Sequence, residues 1–183
     1  LAIIYSKEYI INERTVEIRS AIPSDAAQLI ELNKKLAVET KYMVRELHEI
    51  DIDITNQENR IKDLNDHENG LLLVASVDGA IVGQLGILPE KFERMKHMAG
   101  FVIGIEKAYW GYGIAKLLMD EVTSWFRLST LKRIELNVIE DNVRGIALYK
   151  KYGFQIEGKK IKDHHIGDGI YLNTLLMGKL LDE

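Results

Sequence analysis

The apolar stretch Phe101-Val102-Ile103-Gly104-Ile105 runs, after five residues, into Gly111-Tyr112-Gly113-Ile114-Ala115-Lys116, and that hexapeptide opens a strongly amphipathic helix. This strand-loop-helix join constrains the chain more than any other segment. The first turn of a helix leaves four backbone N–H groups without intrahelical partners, and the aligned peptide dipoles add about half a positive charge there. Glycine at 111 and 113 admits backbone angles closed to other residues and lets an anion approach the main chain without meeting a Cβ. The join therefore reads as a place for phosphate groups.

Three phosphate-binding patterns compete for it, and spacing separates them. The nucleoside-triphosphate loop requires Gly-Lys-Ser/Thr, whereas Lys116 is preceded by Ala115 and followed by Leu117. The dinucleotide fingerprint wants a third glycine at Lys116 and a place in the first strand-helix unit of its domain, yet this join lies past mid-chain. The third pattern is strand, aromatic, Gly-x-Gly-x-Ala, helix, followed about 25 residues later by Asn-x-x-x-x-x-Leu-Tyr-x-Lys-x-Gly-Phe. That second block is present as Asn142 through Leu148-Tyr149-Lys150-Lys151-Tyr152-Gly153-Phe154.

Together, in this order and at this separation, the two blocks resemble the GNAT superfamily of acyl-CoA-dependent N-acetyltransferases, over roughly Val16 to Leu181. The resemblance implies acetyl-CoA (coenzyme A) as co-substrate and no metal. It implies that the loop amides of Trp110, Gly111, Tyr112, Gly113, Ile114, Ala115 and Lys116 hold the diphosphate. The main chains of Ile103 and Ile105 would pair with the pantetheine arm, which Asn142 and Tyr149 would face, Tyr149 as general acid toward the leaving sulfur. Two residues depart from the family pattern: Trp110 stands where Arg or Gln is usual, and Gly145 where Ala is usual. Because the loop donors are main-chain groups, Trp110 need not abolish binding, but a side-chain contribution from Arg or Gln is gone. Gly145 lies inside a predicted helix, where it costs about 1 kcal/mol relative to Ala or permits close approach of backbone or ligand.

A length of 183 residues suits one domain, residues 1–183, with 1–14 as an N-terminal extension. The chain has no Cys, which excludes disulfides, a thiolate nucleophile and Cys-based zinc sites, and agrees with a cytoplasmic home. No apolar run approaches the ~20 residues that span a bilayer, so no membrane partner is expected. A net charge of -4 and a pI near 5.8 argue against nucleic acid as a partner. Adjacent His164 and His165 lack the spacing of further metal ligands.

Periodicity predicts a mixed α/β (α+β) architecture. Val16–Ile22 reads as a first strand, extended by Tyr9–Ile11, and Ser24 is placed to cap a helix carrying Leu29, Ile30 and Leu36. A loop from Glu39 to Ile54 with a short helical piece precedes a helix over Asn56–Leu64. Leu71–Val77 and Ala80–Ile87 flank Asp78-Gly79, a strong hairpin signal. Further strands fall at Phe101–Ile105, Arg133–Val138, Phe154–His165 and Ile170–Leu180, with a helix after Gly113 and another capped by Asp141 or Asn142. The total is a mixed sheet of about seven strands with about four helices, which the resemblance implies is mostly antiparallel. The resemblance adds that the fourth and fifth strands of that count splay apart to receive the cofactor.

Acetyl transfer needs a base, and Glu106, Glu46, Glu39 and His97 all fall on segments that could border an acceptor; Glu106 is the candidate base. Residues 31–69 carry ten Asp or Glu against six Lys or Arg, a balance that would attract a cationic amine and equally describes a solvated acidic surface. The expected acceptor is a primary amine, small-molecule or peptide: a polyamine, a free amino acid or a protein N-terminus. Asn173 stands where subgroups with such acceptors often carry Asp. The alternative function is a non-catalytic acyl-CoA-binding regulatory module. Since many relatives pair through sheet edges, the resemblance is also compatible with a homodimer.

Overall fold

The computed structural model describes residues 3–181. Eight strands form one sheet: β1 (Lys7–Ile11), β2 (Arg14–Ser20), β3 (Leu71–Val77), β4 (Ala80–Pro89), β5 (Met98–Ile105), β6 (Arg133–Ile139), β7 (Gln155–His165) and β8 (Tyr171–Leu180). Four helices accompany them: α1 (Ala26–Glu39), α2 (Ile54–Asp66), α3 (Ile114–Phe126) and α4 (Val143–Lys151). The strand order is β1-β2-β3-β4-β5-β6-β8-β7, antiparallel at every pairing except β5 with β6.

The count of about seven strands is corrected to eight by β1, which lies within the segment 1–14 expected as an extension; residues 1 and 2 of that segment fall outside the described residues. Asn12 and Glu13 adopt φ of 49° and 63°, the left-handed pair that a tight two-residue hairpin requires. Neither residue is Gly, so the turn carried no strong signal. β1 is also pinned from a distance: Lys7 Nζ donates to the buried Glu121 carboxylate of α3 at 2.7 Å, and Tyr9 Oη donates to it at 3.1 Å.

Ser24 does not cap α1. The chain enters that helix through a short 3-10 turn, Pro23–Asp25, in which the Asp25 carboxylate accepts the Ile22 N–H at 2.8 Å. The same carboxylate receives both Arg19 terminal nitrogens, at 2.7 and 2.9 Å.

Every residue of β3 is buried because helices cover both faces of the sheet there. Leu71, Leu73 and Ala75 face a core shared with Leu118, Val122 and Trp125 of α3. Their neighbours Leu72 and Val74 face a second core with Leu29, Leu32 and Leu36 of α1 and Ile61 of α2. Asp78 and Gly79, at φ of 49° and 86°, turn the predicted β3-β4 hairpin.

β5 and β6 pair over only three positions, Met98 with Arg133, Ala99 with Ile134 and Gly100 with Glu135. Beyond them β6 continues beside β8, while β5 continues beside β4 alone. The two strands thus part from Phe101 onward, and the wedge between them opens toward the loop after β5.

Candidate active site

The wedge leads into a cavity of about 570 Å³. Its walls come from four places: Leu36, Thr40, Tyr42 and Met43 at the end of α1 and beyond; Ile103, Gly104 and Ile105 of β5; the loop and first turn of α3; and Asp141 to Tyr149 around α4.

Strand alternation fixes what β5 offers this cavity. Glu106 N–H donates to the Val82 carbonyl at 2.8 Å, so Gly104 and Val102, two and four residues earlier in register, also turn their main chains to β4. The N–H and C=O groups of Ile103 and Ile105 therefore point to the opposite edge, where β6 has left. One of these four groups is taken: Trp110 Nε1 donates to the Ile105 carbonyl at 2.8 Å. The indole that replaces the usual Arg or Gln is thus a brace on the end of the open strand edge.

At the loop, Gly111 and Gly113 have φ of 88° and 79°, and a Cβ on either would meet nothing within 4 Å. The glycines serve the backbone conformation and leave the approach to the amides clear. No acceptor among the described residues takes up the N–H groups of Gly111, Gly113, Ile114, Ala115 or Lys116, whereas two expected loop donors are spent, Trp110 N–H on the Lys107 carbonyl at 3.1 Å and Tyr112 N–H on the Tyr109 carbonyl at 3.4 Å. Tyr112 packs its ring toward the core and against Tyr109, and it does not line the cavity. Lys116 lines it, but its ammonium lies 2.7 Å from Asp120. Asp120 in turn accepts the Tyr152 hydroxyl at 2.7 Å, which ties α4 to α3.

Asn142 and Tyr149 both line the cavity. Asn142 is the N-cap of α4, its side-chain oxygen accepting the Gly145 N–H at 3.0 Å. Tyr149 is only 8 % exposed, with Phe101 and Phe154 each 5.9 Å away between ring centroids. Its hydroxyl has no hydrogen-bond partner among the described residues, and no buried side-chain oxygen or nitrogen among them lacks one, so the hydroxyl opens onto the cavity. Burial pushes this phenol up to about 12. It stays protonated, a donor aimed into the wedge.

The candidate bases do not line the cavity. The Glu106 side chain is 14 % exposed and its Oε1 accepts Lys35 Nζ at 3.0 Å. Glu39 accepts the Lys107 N–H at 2.7 Å, and Glu46 is engaged with Glu49 in a local capping arrangement. His97 lies just before β5, at the strand end remote from the wedge. His165 stacks on Tyr171, and no cluster of metal-ligating side chains occurs among the described residues. Sequence reasoning missed Thr40, Tyr42 and Met43, in a loop after α1 that has no periodicity to point to them, and Arg144, whose place in the first turn of α4 beside the Asn142 cap was the available signal.

The model of the Acetyltransferase (GNAT) family matches residues 35–154, which includes the strand, the glycine loop and the Asn142 to Phe154 block. The chain belongs to the GNAT acetyltransferase family. This GNAT chain is 38% identical over 112 residues to the L-amino acid N-acetyltransferase AaaT of Escherichia coli (strain K12), a match spanning 59% of this chain and 67% of that protein. Its fold superimposes on the acetyltransferase of the GNAT family from Streptococcus pneumoniae with a TM-score of 0.86 at 31% identity, covering 90% of this chain and 99% of that one. It also shares the fold of yncA from Salmonella typhimurium, solved with its cofactor acetyl-CoA, at a TM-score of 0.81 and 18% identity over 92% of this chain and 95% of that one. No helix among the described residues of this GNAT protein is long and apolar enough to cross a membrane.

Proposed function

We propose that this chain moves an acetyl group from acetyl-CoA to the primary amine of a small molecule, with free amino acids as the acceptor class. The observation that carries the reading is that one cavity gathers the unpartnered loop amides, the open edge at Ile103 and Ile105, and the Tyr149 hydroxyl. The residues fit the cofactor: orphan amides suit a diphosphate, and an open strand edge suits the amides of a pantetheine arm. Acetyl-CoA, when bound, supplies the thioester that the amine attacks. Without Cys, a cysteine-linked acetyl-enzyme is excluded, and the reading takes the amine to attack the thioester directly.

The chain's own contribution is positioning and hydrogen bonding. Holding both reactants in one wedge is worth as much as about 7–11 kcal/mol of barrier in ideal cases. The Ile105 N–H, on the open edge, is placed to polarise a carbonyl lying along it. With its phenol at about 12, Tyr149 stabilises charge on the sulfur as a hydrogen-bond donor, because a thiolate of ordinary pKa near ~8.5 is too weak a base to deprotonate it outright. The amine proton leaves through water toward Glu106, whose carboxylate stands outside the cavity lining.

Amino acids are favoured over polyamines by charge. The carboxylates flanking the acceptor side are already matched: Glu106 by Lys35, Asp141 by Lys41 at 2.8 Å, and Glu39 by a main-chain N–H. Leu36 and Met43 give that end an apolar wall. A polycation would have to displace these partners. AaaT is named for amino-acid acetylation, which supports the same class.

A panel of L-amino acids, polyamines and peptide N-termini, assayed for thiol release and product mass, tests the reading. Acetylated amino acids are expected. Polyamine products alone would overturn the acceptor class. Thiol release from no acceptor, with coenzyme A still bound, would replace the enzyme by an acyl-CoA-binding module. An unchanged kcat in Glu106→Gln would remove Glu106 as the base.

A further inference from the structure

Two cationic side chains line the cavity, Lys116 and Arg144. They differ in what holds them. The Lys116 ammonium is bound to Asp120 at 2.7 Å. Arg144 has no carboxylate partner among the described residues; its guanidinium lies over the Trp110 ring, 5.3 Å from the centroid. The two residues come from opposite walls of the wedge, Trp110 from the loop after β5 and Arg144 from the first turn of α4.

The placement of Arg144 is not explained by its own helix. A cation in the first turn of a helix sits at the positive end of the helix dipole, where it is unfavourable. Asp141, three residues earlier, would be a ready partner, but it is occupied by Lys41. Trp110 is fixed independently of Arg144, through its Nε1 bond to the Ile105 carbonyl. A braced aromatic face thus carries an exposed guanidinium, beside loop amides that lack acceptors. A guanidinium on an indole keeps its planar N–H fork free for another ligand, and that fork suits phosphate oxygens.

We propose that Trp110 and Arg144 form one unit that binds the phosphate-bearing end of the cofactor, Arg144 by its charge and Trp110 by positioning it. This rests on the acetyl-CoA reading given above. The basic group absent from loop position 110 is, on this view, supplied from α4 across the wedge, and the indole at 110 is what places it there.

Calorimetric titration of the full chain with coenzyme A and with pantetheine, which lacks the phosphates, tests the unit. Arg144→Gln should weaken coenzyme A binding by about tenfold, the size of one charge-assisted hydrogen bond, and leave pantetheine affinity unmoved. Arg144→Lys should recover part of the loss. Trp110→Leu should lose coenzyme A affinity to a similar degree, while Trp110→Phe, which keeps a ring, should lose less. Thermal unfolding of each variant separates folding failure from binding failure.

Equal coenzyme A affinity in wild type and Arg144→Gln would overturn the inference and leave the acetyltransferase reading standing. Parallel losses for coenzyme A and pantetheine would also overturn it, by assigning Arg144 to the shape of α4. If wild type bound neither ligand, the functional reading itself would fall.

Discussion

A Cβ built on Gly145 would lie 2.7 Å from Nδ2 of Asn142 and 3.0 Å from its Oδ1, the atom that caps α4 through the Gly145 N–H. The glycine in a helical position and the inward-folded cap are therefore one feature. Alanine at 145 would gain about 1 kcal/mol in helix propensity and lose a cap worth about 1 kcal/mol, because Asn142 must rotate away. Gly145→Ala should change stability by less than about 1 kcal/mol, whereas Asn142→Ala should cost about 1 kcal/mol in wild type and little in the Gly145→Ala background. Denaturant unfolding of the four chains measures the coupling.

Gly104 is a close-packing position. A Cβ there would meet Leu36 Cδ1 at 2.6 Å, and Leu36 is fully buried in the core under α1. Both residues line the cavity. Gly104→Ala should destabilise by roughly 1–3 kcal/mol through overpacking and raise the KM for the acceptor, with denaturation and initial-rate kinetics as the two readouts.

Removing the Tyr149 hydroxyl leaves its ring contacts with Phe101 and Phe154 in place. Tyr149→Phe should therefore lower kcat by roughly 10²-fold, the cost of losing one donor to developing charge, with KM for acetyl-CoA and unfolding midpoint nearly unchanged. Burial raises this phenol to about 12 from an ordinary 10. The raised value means that the folded state favours the protonated form. Its contribution to stability is whole below pH ~10 and is lost as pH climbs through about 12. Tyrosinate absorbance during alkaline titration should show one late step fewer in Tyr149→Phe.

Asp25 is buried, and burial alone would raise its carboxyl; the Arg19 fork and the Ile22 N–H outweigh that and hold it below the usual carboxylate range. A depressed folded-state value means that its stabilisation is complete above the unfolded-state pKa, near ~4, and disappears as pH falls below it. Asp25→Asn should cost roughly 1–3 kcal/mol near neutral pH, since it takes the charged acceptor from both terminal nitrogens of Arg19 and leaves that part-buried guanidinium only Glu17, 3.6 Å from its Nε. The gap from wild type should narrow in acid, as unfolding midpoints measured from pH ~7 down to ~3 would show.

Local signals carried much of this architecture. Asp78-Gly79 signals the β3-β4 hairpin, the apolar runs of β3 and β4 mark strands, and the glycine loop with the Asn142 block carries the family resemblance. What stayed hidden depended on distant partners. β1 is held by Lys7 and Tyr9 on Glu121, more than a hundred residues away, and its turn uses Asn12-Glu13 without glycine. Ser24 does not cap α1 because it lies inside the 3-10 turn that precedes the helix, a turn held by the Asp25 carboxylate on the Ile22 N–H and on the Arg19 fork.

In the site, the chain's own order placed Ile103, Ile105, the loop amides, Asn142 and Tyr149 near one another, since each is tied to a neighbouring element by short-range periodicity. Tertiary structure alone decided the long-range charge pairings: Glu106 is matched by Lys35, Asp141 by Lys41, and Arg144 rests on Trp110. Backbone geometry follows from local sequence because its hydrogen bonds are near in the chain or repeat along a strand. The partner of a long charged side chain is set by whichever groups the packed helices bring within reach, and no spacing along the sequence encodes that.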